Sequence, residues 1–183
     1  MRTIIGLTGE MASGKDAVAK YLVFKYNASP HKFSAVIRNI LRKLCLPESR
    51  ENMNELSAIL RKSFEEDIFS RMMCESVEND NHSCIVIDGI RRLGDMKDLK
   101  DLPGFKFIFI ESDLKKRYER IIKREENPCD KNKSFEEFKK EHLGDAETQI
   151  AGLKQYADYV VENNGTLEDL YKKIDEIISK QNI

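Results

Sequence analysis

One segment narrows the possible folds more than any other. Gly9-Glu-Met-Ala-Ser-Gly14-Lys15-Asp16 has the spacing G-x-x-x-x-G-K. Before it lies an apolar stretch, residues 2–8, which reads as a short buried strand. After it, Asp16 to about Tyr26 reads as a helix with Val18, Leu22 and Val23 on one face. A strand, a glycine-rich turn and a helix in this order turn backbone N–H groups inward around anionic oxygens. The helix N-terminus adds a partial positive charge, and Lys15 adds a full one. Gly9, Met11, Ala12, Ser13, Gly14, Lys15 and Asp16 are therefore the expected phosphate-binding loop.

The last position of the loop departs from the usual pattern. A hydroxyl there would ligate Mg²⁺. This chain has Asp16, and Ala17 cannot supply a hydroxyl either. Two readings stay open. Asp16 holds Mg²⁺, directly or through water, or it is an acid in the first helical turn that stabilises the dipole and faces away.

The rest of the chain alternates strand and helix signals. His31-Lys32-Phe33-Ser34 is a second short strand, and residues 35–80 read as helical, with breaks at Pro47-Glu48 and near Asn79-Asp80-Asn81. Cys84-Ile-Val-Ile-Asp88 is a continuous apolar run that suits a strand buried on both faces of a parallel sheet. Residues 105–110 form a fourth strand, 113–124 a basic helix, and 125–134 a polar loop. A helix from Phe135 leads to a fifth strand at 158–161, and a last helix starts near Leu167. The pattern predicts an open parallel α/β sheet, whose ligands bind beyond the carboxyl ends of its strands.

Composition restricts the partners. The 183 residues carry 31 Lys and Arg against 32 Asp and Glu, a net charge of −1. That balance gives no electrostatic basis for wrapping nucleic acid or coating a membrane. No apolar run approaches the ~18 residues of a membrane span. Cys45, Cys74, Cys84 and Cys129 show no C-x-x-C spacing, and His31, His82 and His142 are far apart. Neither a zinc site nor a disulfide framework is expected, and a reducing cytoplasm is the expected location. The chain shows no internal repeat.

Asp88 ends the strand expected beside the loop, where an acid orients Mg²⁺ or its waters; a turn aspartate before Gly89 is the other reading. Arg91 and Arg92 follow at once, and an arginine there grips phosphate through its bidentate fork.

At this point a resemblance becomes specific. Gly9–Lys15 together with Val86-Ile-Asp88-Gly89-Ile90-Arg91 resembles the adenylate kinase family of nucleoside monophosphate kinases. There an Asp-Gly-aromatic-Pro-Arg segment holds the acceptor phosphate; this chain lacks the proline and has Ile90 for the aromatic residue. Phe33-Ser34-x-x-Ile37-Arg38 is similar to the segment whose arginine grips the same phosphate. Arg117, Arg120 and Arg124 follow strand four, and Arg120-x-x-x-Arg124 resembles the opening of the family's lid; a solvated basic helix face is the other reading of the three. Leu60-Arg61-x-x-Phe64 brings a further arginine toward the acceptor or to the surface. Asp95 falls where the family places a base-reading glutamine, if the missing proline is treated as a deletion; an exposed helix acid is the alternative. Gln149 and Tyr156–Leu167 are similar to the end of dephospho-CoA kinases, and the whole chain looks like the nucleotide kinases related to both families.

Mechanism separates the acceptors. A monophosphate carries its own anionic nucleophile and needs no base, whereas a sugar hydroxyl benefits from a carboxylate. Residues 27–36 contain no carboxylate, and Arg38 follows. One departure stands out: no arginine occurs after Arg124, and only Lys131, Lys133, Lys139 and Lys140 are available on the returning side of the lid.

The expectation is a single P-loop kinase domain over 1–183, a three-layer sandwich with a five-stranded parallel sheet. The resemblance implies a helical acceptor-binding insertion at about 35–80 and a short lid at about 125–145. ATP and Mg²⁺ bind at Gly9–Asp16, with the metal held by Asp88 and, on one reading, Asp16. Lys15 stabilises the transferring phosphoryl, Arg38 and Arg91 hold the acceptor phosphate, and Arg120 and Arg124 close over the donor. A monomer acting on a (deoxy)nucleoside monophosphate is expected. A dephospho-CoA kinase and a nucleotide-binding switch without turnover are the alternatives.

Overall fold

The computed structural model describes residues 2–123 and 133–181. Five strands are present among them: β1 (Thr3–Thr8), β2 (Ser29–Lys32), β3 (Cys84–Asp88), β4 (Phe105–Glu111) and β5 (Tyr159–Glu162). All pair in parallel, in the order β2-β3-β1-β4-β5. The strand carrying the glycine loop is therefore central, with β3 on one side and β4 on the other. Isoleucine-rich runs form these three strands because both faces of each are covered.

Side chains of alternate residues pack into two separate cores. Ile5, Leu7, Val86, Ile108, Ile110 and Val161 point to one face. There they meet Val18 and Leu22 of α1 (Lys15–Tyr26) and Leu170, Ile174, Ile177 and Ile178 of α8 (Leu167–Ser179). Ile4, Ile85, Ile87 and Phe107 point to the other face. They are covered by Phe33, Ile37 and Leu41 of α2 (Phe33–Lys43) and by Phe69, Met73 and Val77 of α4 (Ile68–Glu78). The result is the expected three-layer α/β sandwich.

The stretch 35–80 is three helices, with α3 (Arg50–Phe64) between α2 and α4; the break at Pro47-Glu48 was expected, and the one between Phe64 and Ile68 was not. Ser49 caps α3 by accepting from the Asn52 N–H. Of α3 only Arg61 is buried, so this helix stands off the sheet while α2 and α4 cover it. α5 (Leu114–Lys123), α6 (Phe135–His142) and α7 (Asp145–Gly152) follow β4. Arg124 and residues 125–132 of the expected lid lie outside the described residues.

The second strand differs from expectation by two residues. It covers Ser29–Lys32, and Phe33 begins α2 instead of continuing the strand. The strand lies at the sheet edge and pairs with β3 alone, which is why it tolerates Pro30. Phe33 is 6% exposed and serves the helical core rather than the sheet.

Candidate active site

The loop between β1 and α1 has a backbone that few sequences can follow. Gly9 has φ +153°, and a Cβ there would lie 2.3 Å from the carbonyl oxygen of Ile110. Gly14 has φ +109°, and its Cβ would lie 2.2 Å from Asn163 Nδ2. Ala12 sits at φ +61°, left-handed backbone that costs an L-residue roughly 1–2 kcal/mol. Such strain persists only where the surroundings over-determine it, and it gathers at ligand clamps.

The surroundings here are specific. Asn163, 3% exposed, donates from Nδ2 to the Ser13 carbonyl at 2.7 Å. Arg120 donates to the carbonyls of Ala12 and Ser13, both at 3.3 Å, and to Asn163 O at 2.7 Å. Arg117, 2% exposed, reaches Ser112 O at 3.1 Å, Met11 O at 3.4 Å and Glu10 Oε1 at 3.2 Å. Two arginines of α5 thus hold the loop from outside, through its carbonyls. Of the loop's own N–H groups, that of Met11 donates to Glu147 Oε2 at 2.9 Å and that of Ser13 to the Glu10 carbonyl at 3.1 Å. The sequence suggested that Arg120 faces the donor and left a solvated basic face as the other reading of these arginines. The structure instead buries Arg117 and commits the Arg120 guanidinium to loop carbonyls. Asn163 and Arg117 were missed as loop holders, and a buried role for Asn163 was foreshadowed only by its place just past a strand's carboxyl end.

Lys15, Asp16 and Asp88 come together as expected. Lys15 Nζ lies 3.7 Å from Asp16 Oδ1. β3 pairs with β1 so that Asp88 stands opposite Leu7, at the mouth of the loop. Asp88 is 7% exposed; burial pushes its carboxyl above the usual carboxylate range, with the Asp16 charge adding to the rise and Lys15 and Lys32 opposing it. Its Oδ2 lies 3.6 Å from Lys32 Nζ, and its Oδ1 is buried without a hydrogen-bond partner. Ser13 Oγ is likewise buried and unpartnered. An orphaned carboxylate oxygen that feels a second carboxylate fits the oxygen donor set of a hard divalent cation.

The acceptor-side arginines fall into two groups. Arg91 is exposed, and its side chain has no hydrogen-bond or ion-pair partner among the described residues. Arg38 is exposed on α2 and pairs with Glu48 at 3.2 Å. Arg61 and Asp95 are instead buried against each other, with Arg61 stacked 4.7 Å from the centroid of the Phe69 ring. Asp95 Oδ1 accepts from Arg61, and Oδ2 accepts the backbone N–H of Arg91 and of Arg92, both at 3.0 Å. At 2% exposure Asp95 has no edge left for a base, and it is not the exposed helix acid of the alternative reading. What the pair holds is the turn that presents Arg91.

A second charged group lies over the loop. Met11 N–H donates to Glu147 Oε2 of α7 at 2.9 Å, and His142 Nδ1 of α6 lies 3.0 Å from Glu10 Oε1. Donor atoms of Glu10, His142 and Glu147 fall within 4.8 Å of one another. Arg117 Nη2 lies 3.2 Å from both Glu10 Oε1 and His142 Nδ1, so a guanidinium already supplies positive charge there. A cleft of about 240 Å³ is lined by Glu10, Glu111, Ser112, Asp113, Glu162 and Asn164. Its carboxylates repel an anionic ligand.

The fold recurs in known proteins. Shikimate kinase from Bacteroides thetaiotaomicron superposes with a TM-score of 0.65 at 17% identity, covering 97% of this chain and 98% of that one. TT1252 from Thermus thermophilus gives 0.60 at 19% identity, covering 98% and 97%. A sugar kinase from Janibacter sp. gives 0.56 at 15% identity, covering 95% and 92%. The fold is that of the P-loop kinases. At these identities the likeness concerns the fold alone. In sequence, the chain is similar to a UPF0200 protein of Staphylothermus marinus, 28% identical over 177 residues that cover 97% of this chain and 92% of the relative. A UPF0200 protein of Hyperthermus butylicus is 23% identical over 179 residues, covering 98% and 95%. No protein-family model matches the chain. No helix among the described residues is long and apolar enough to cross a membrane.

Proposed function

We propose that this protein transfers the terminal phosphoryl group of ATP to a (deoxy)nucleoside monophosphate, giving the diphosphate. The observation that carries the reading is the meeting of Lys15, Asp16 and the buried, unpartnered Oδ1 of Asp88 at the glycine loop, followed three residues on by an exposed Arg91 whose side chain has no partner among the described residues. Asp88 and Asp16 would hold Mg²⁺, which supplies charge neutralisation and in-line orientation of the donor phosphates.

The protein's own groups do the rest. N–H groups of the loop and the N-terminus of α1 bind the donor phosphates. Lys15 neutralises charge that builds on the transferring group. Arg91 forks onto the acceptor phosphate. Arg38 joins it from α2 by exchanging Glu48 for the substrate, an exchange favoured because an exposed ion pair contributes little. An anionic phosphate oxygen attacks without a base, so positioning and charge carry the catalysis.

Dephospho-CoA is the second reading. It draws support from Asp88, whose raised affinity for protons and free oxygen would suit a base for a hydroxyl acceptor. The test is incubation with ATP and Mg²⁺ against the common ribo- and deoxyribonucleoside monophosphates and dephospho-CoA, read by product mass. A nucleoside diphosphate is expected. CoA formation moves the assignment to the second reading, and ATP binding without any product moves it to a nucleotide-dependent switch.

A further inference from the structure

Lys32 has so far appeared only as a neighbour of Asp88, with no substrate of its own. It is the last residue of β2, and in the parallel register it stands opposite Asp88, the last residue of β3. Both therefore lie at the carboxyl edge of the sheet, where ligands of such sheets bind. We propose that Lys32 determines acceptor specificity: its ammonium binds the anionic phosphate of the acceptor and so selects phosphate monoesters over neutral alcohols. The inference rests on the monophosphate kinase reading above.

The geometry supports a group in reserve rather than one fully used. Lys32 Nζ is 3.6 Å from Asp88 Oδ2, beyond the range of a good hydrogen bond. Its side chain is 49% exposed, so the ammonium is open to a ligand while its partner carboxylate is buried. Asp88 feels two ammonium groups, Lys15 from the donor loop and Lys32 from the other side. Each can serve one substrate. If Asp88 holds Mg²⁺, that cation would satisfy its carboxylate and leave the Lys32 ammonium available to the acceptor anion.

The neighbouring backbone points the same way. Lys32 is also the residue that precedes α2, in extended conformation, and no side chain caps the helix. The first turn of α2 carries no acidic residue. Its free N–H groups and the Lys32 ammonium thus present positive potential to the space beside Gly89, whose added Cβ would approach Phe33 Cβ at 3.8 Å. A neutral alcohol gains little from such a site, and the stretch 27–36 contains no carboxylate to take its proton.

The test compares the wild-type chain with Lys32→Ala and Lys32→Arg in Mg·ATP-dependent phosphorylation of the nucleoside monophosphate panel, with KM for acceptor and for ATP measured separately. A charge-assisted contact predicts that Lys32→Ala raises acceptor KM about tenfold or more, that Lys32→Arg recovers most of the loss, and that the KM for ATP stays within about twofold. Thermal melting of each variant controls for folding. An unchanged acceptor KM overturns the inference and leaves Lys32 as an edge-strand partner of Asp88. Equal rises in both KM values also overturn it, since Lys32 would then act only through Asp88. Absence of any diphosphate from the wild-type chain overturns the functional reading itself, and the inference with it.

Discussion

Arg61 Nη2 lies 2.5 Å from Asp95 Oδ1, with both side chains more than nine-tenths buried. The pair joins the outstanding helix α3 to the turn after β3, because the second Asp95 oxygen holds the N–H groups of Arg91 and Arg92. Arg61 also donates to Glu66 O at 2.6 Å, which ties the end of α3 to the same corner. Arg91, the arginine proposed to grip the acceptor, is thus presented by an ion pair that is itself buried.

Removing one member leaves the other charged and buried. Arg61→Ala is expected to destabilise the protein by about 3–5 kcal/mol. The double variant Arg61→Met with Asp95→Leu should lose markedly less than the two single changes together. Urea unfolding of the three variants reads this directly; additive losses would mean that the pair is not a unit.

The glycines of the loop make a sharper claim. Gly14→Ala places a Cβ against Asn163 Nδ2 on backbone that L-residues avoid. ATP affinity, measured by calorimetry, is expected to fall by about tenfold or more, since the loop must shift to accommodate the methyl group. Asn163→Ala, which frees the Ser13 carbonyl without crowding it, should cause a smaller loss in the same direction. Undiminished ATP binding by both variants would contradict the loop geometry.

Asp88 trades stability for function in this account. Burial makes its ionised form costly in the folded protein without a bound cation. Asp88→Asn is therefore expected to raise the melting temperature at neutral pH in the absence of ligands and to abolish Mg²⁺-dependent turnover. A lowered melting temperature would show that the charge is compensated in the free protein.

Asp80 gives the opposite sign. Burial pulls its carboxyl upward, but hydrogen bonds from Ser29, His31 and both the backbone and ring of His82 outweigh that pull and hold it well below the usual carboxylate range. Its folded-state affinity for protons is lowered, so its contribution to stability is full above the unfolded value of about 3.9 and is lost progressively as pH falls from there through the much lower folded value. Asp80→Asn should lower the melting temperature at pH 7, and the gap to wild type should begin to narrow below about pH 4 and go on narrowing with further acidification. A gap independent of pH would rule out an electrostatic origin.

The central strands and the loop were legible because their signals are local. Cys84–Asp88 and Phe105–Glu111 are apolar runs, and the glycine spacing needs no tertiary information. β2 was misplaced because Ser-Pro-His-Lys has no apolar run and, as an edge strand, buries little. Phe33 drew the expected boundary toward itself, although its burial comes from the helix layer. The roles of Arg61 and Arg117 were hidden for another reason. Their partners stand 34 and 107 residues away in the sequence, and a buried arginine on an otherwise polar helix has the same pattern as a solvated one. Glu147 gave no signal at all, since its contact with Met11 N–H spans 136 residues.

The most direct test of the account is the stoichiometry of phosphoryl transfer, with ADP release and nucleoside diphosphate formation followed in the same reaction for wild type and Lys15→Ala. The account predicts one ADP for each diphosphate formed, strict dependence on Mg²⁺, and a fall in turnover of about a hundredfold or more in the variant. ADP release without diphosphate, or a rate that Lys15→Ala leaves intact, would contradict it.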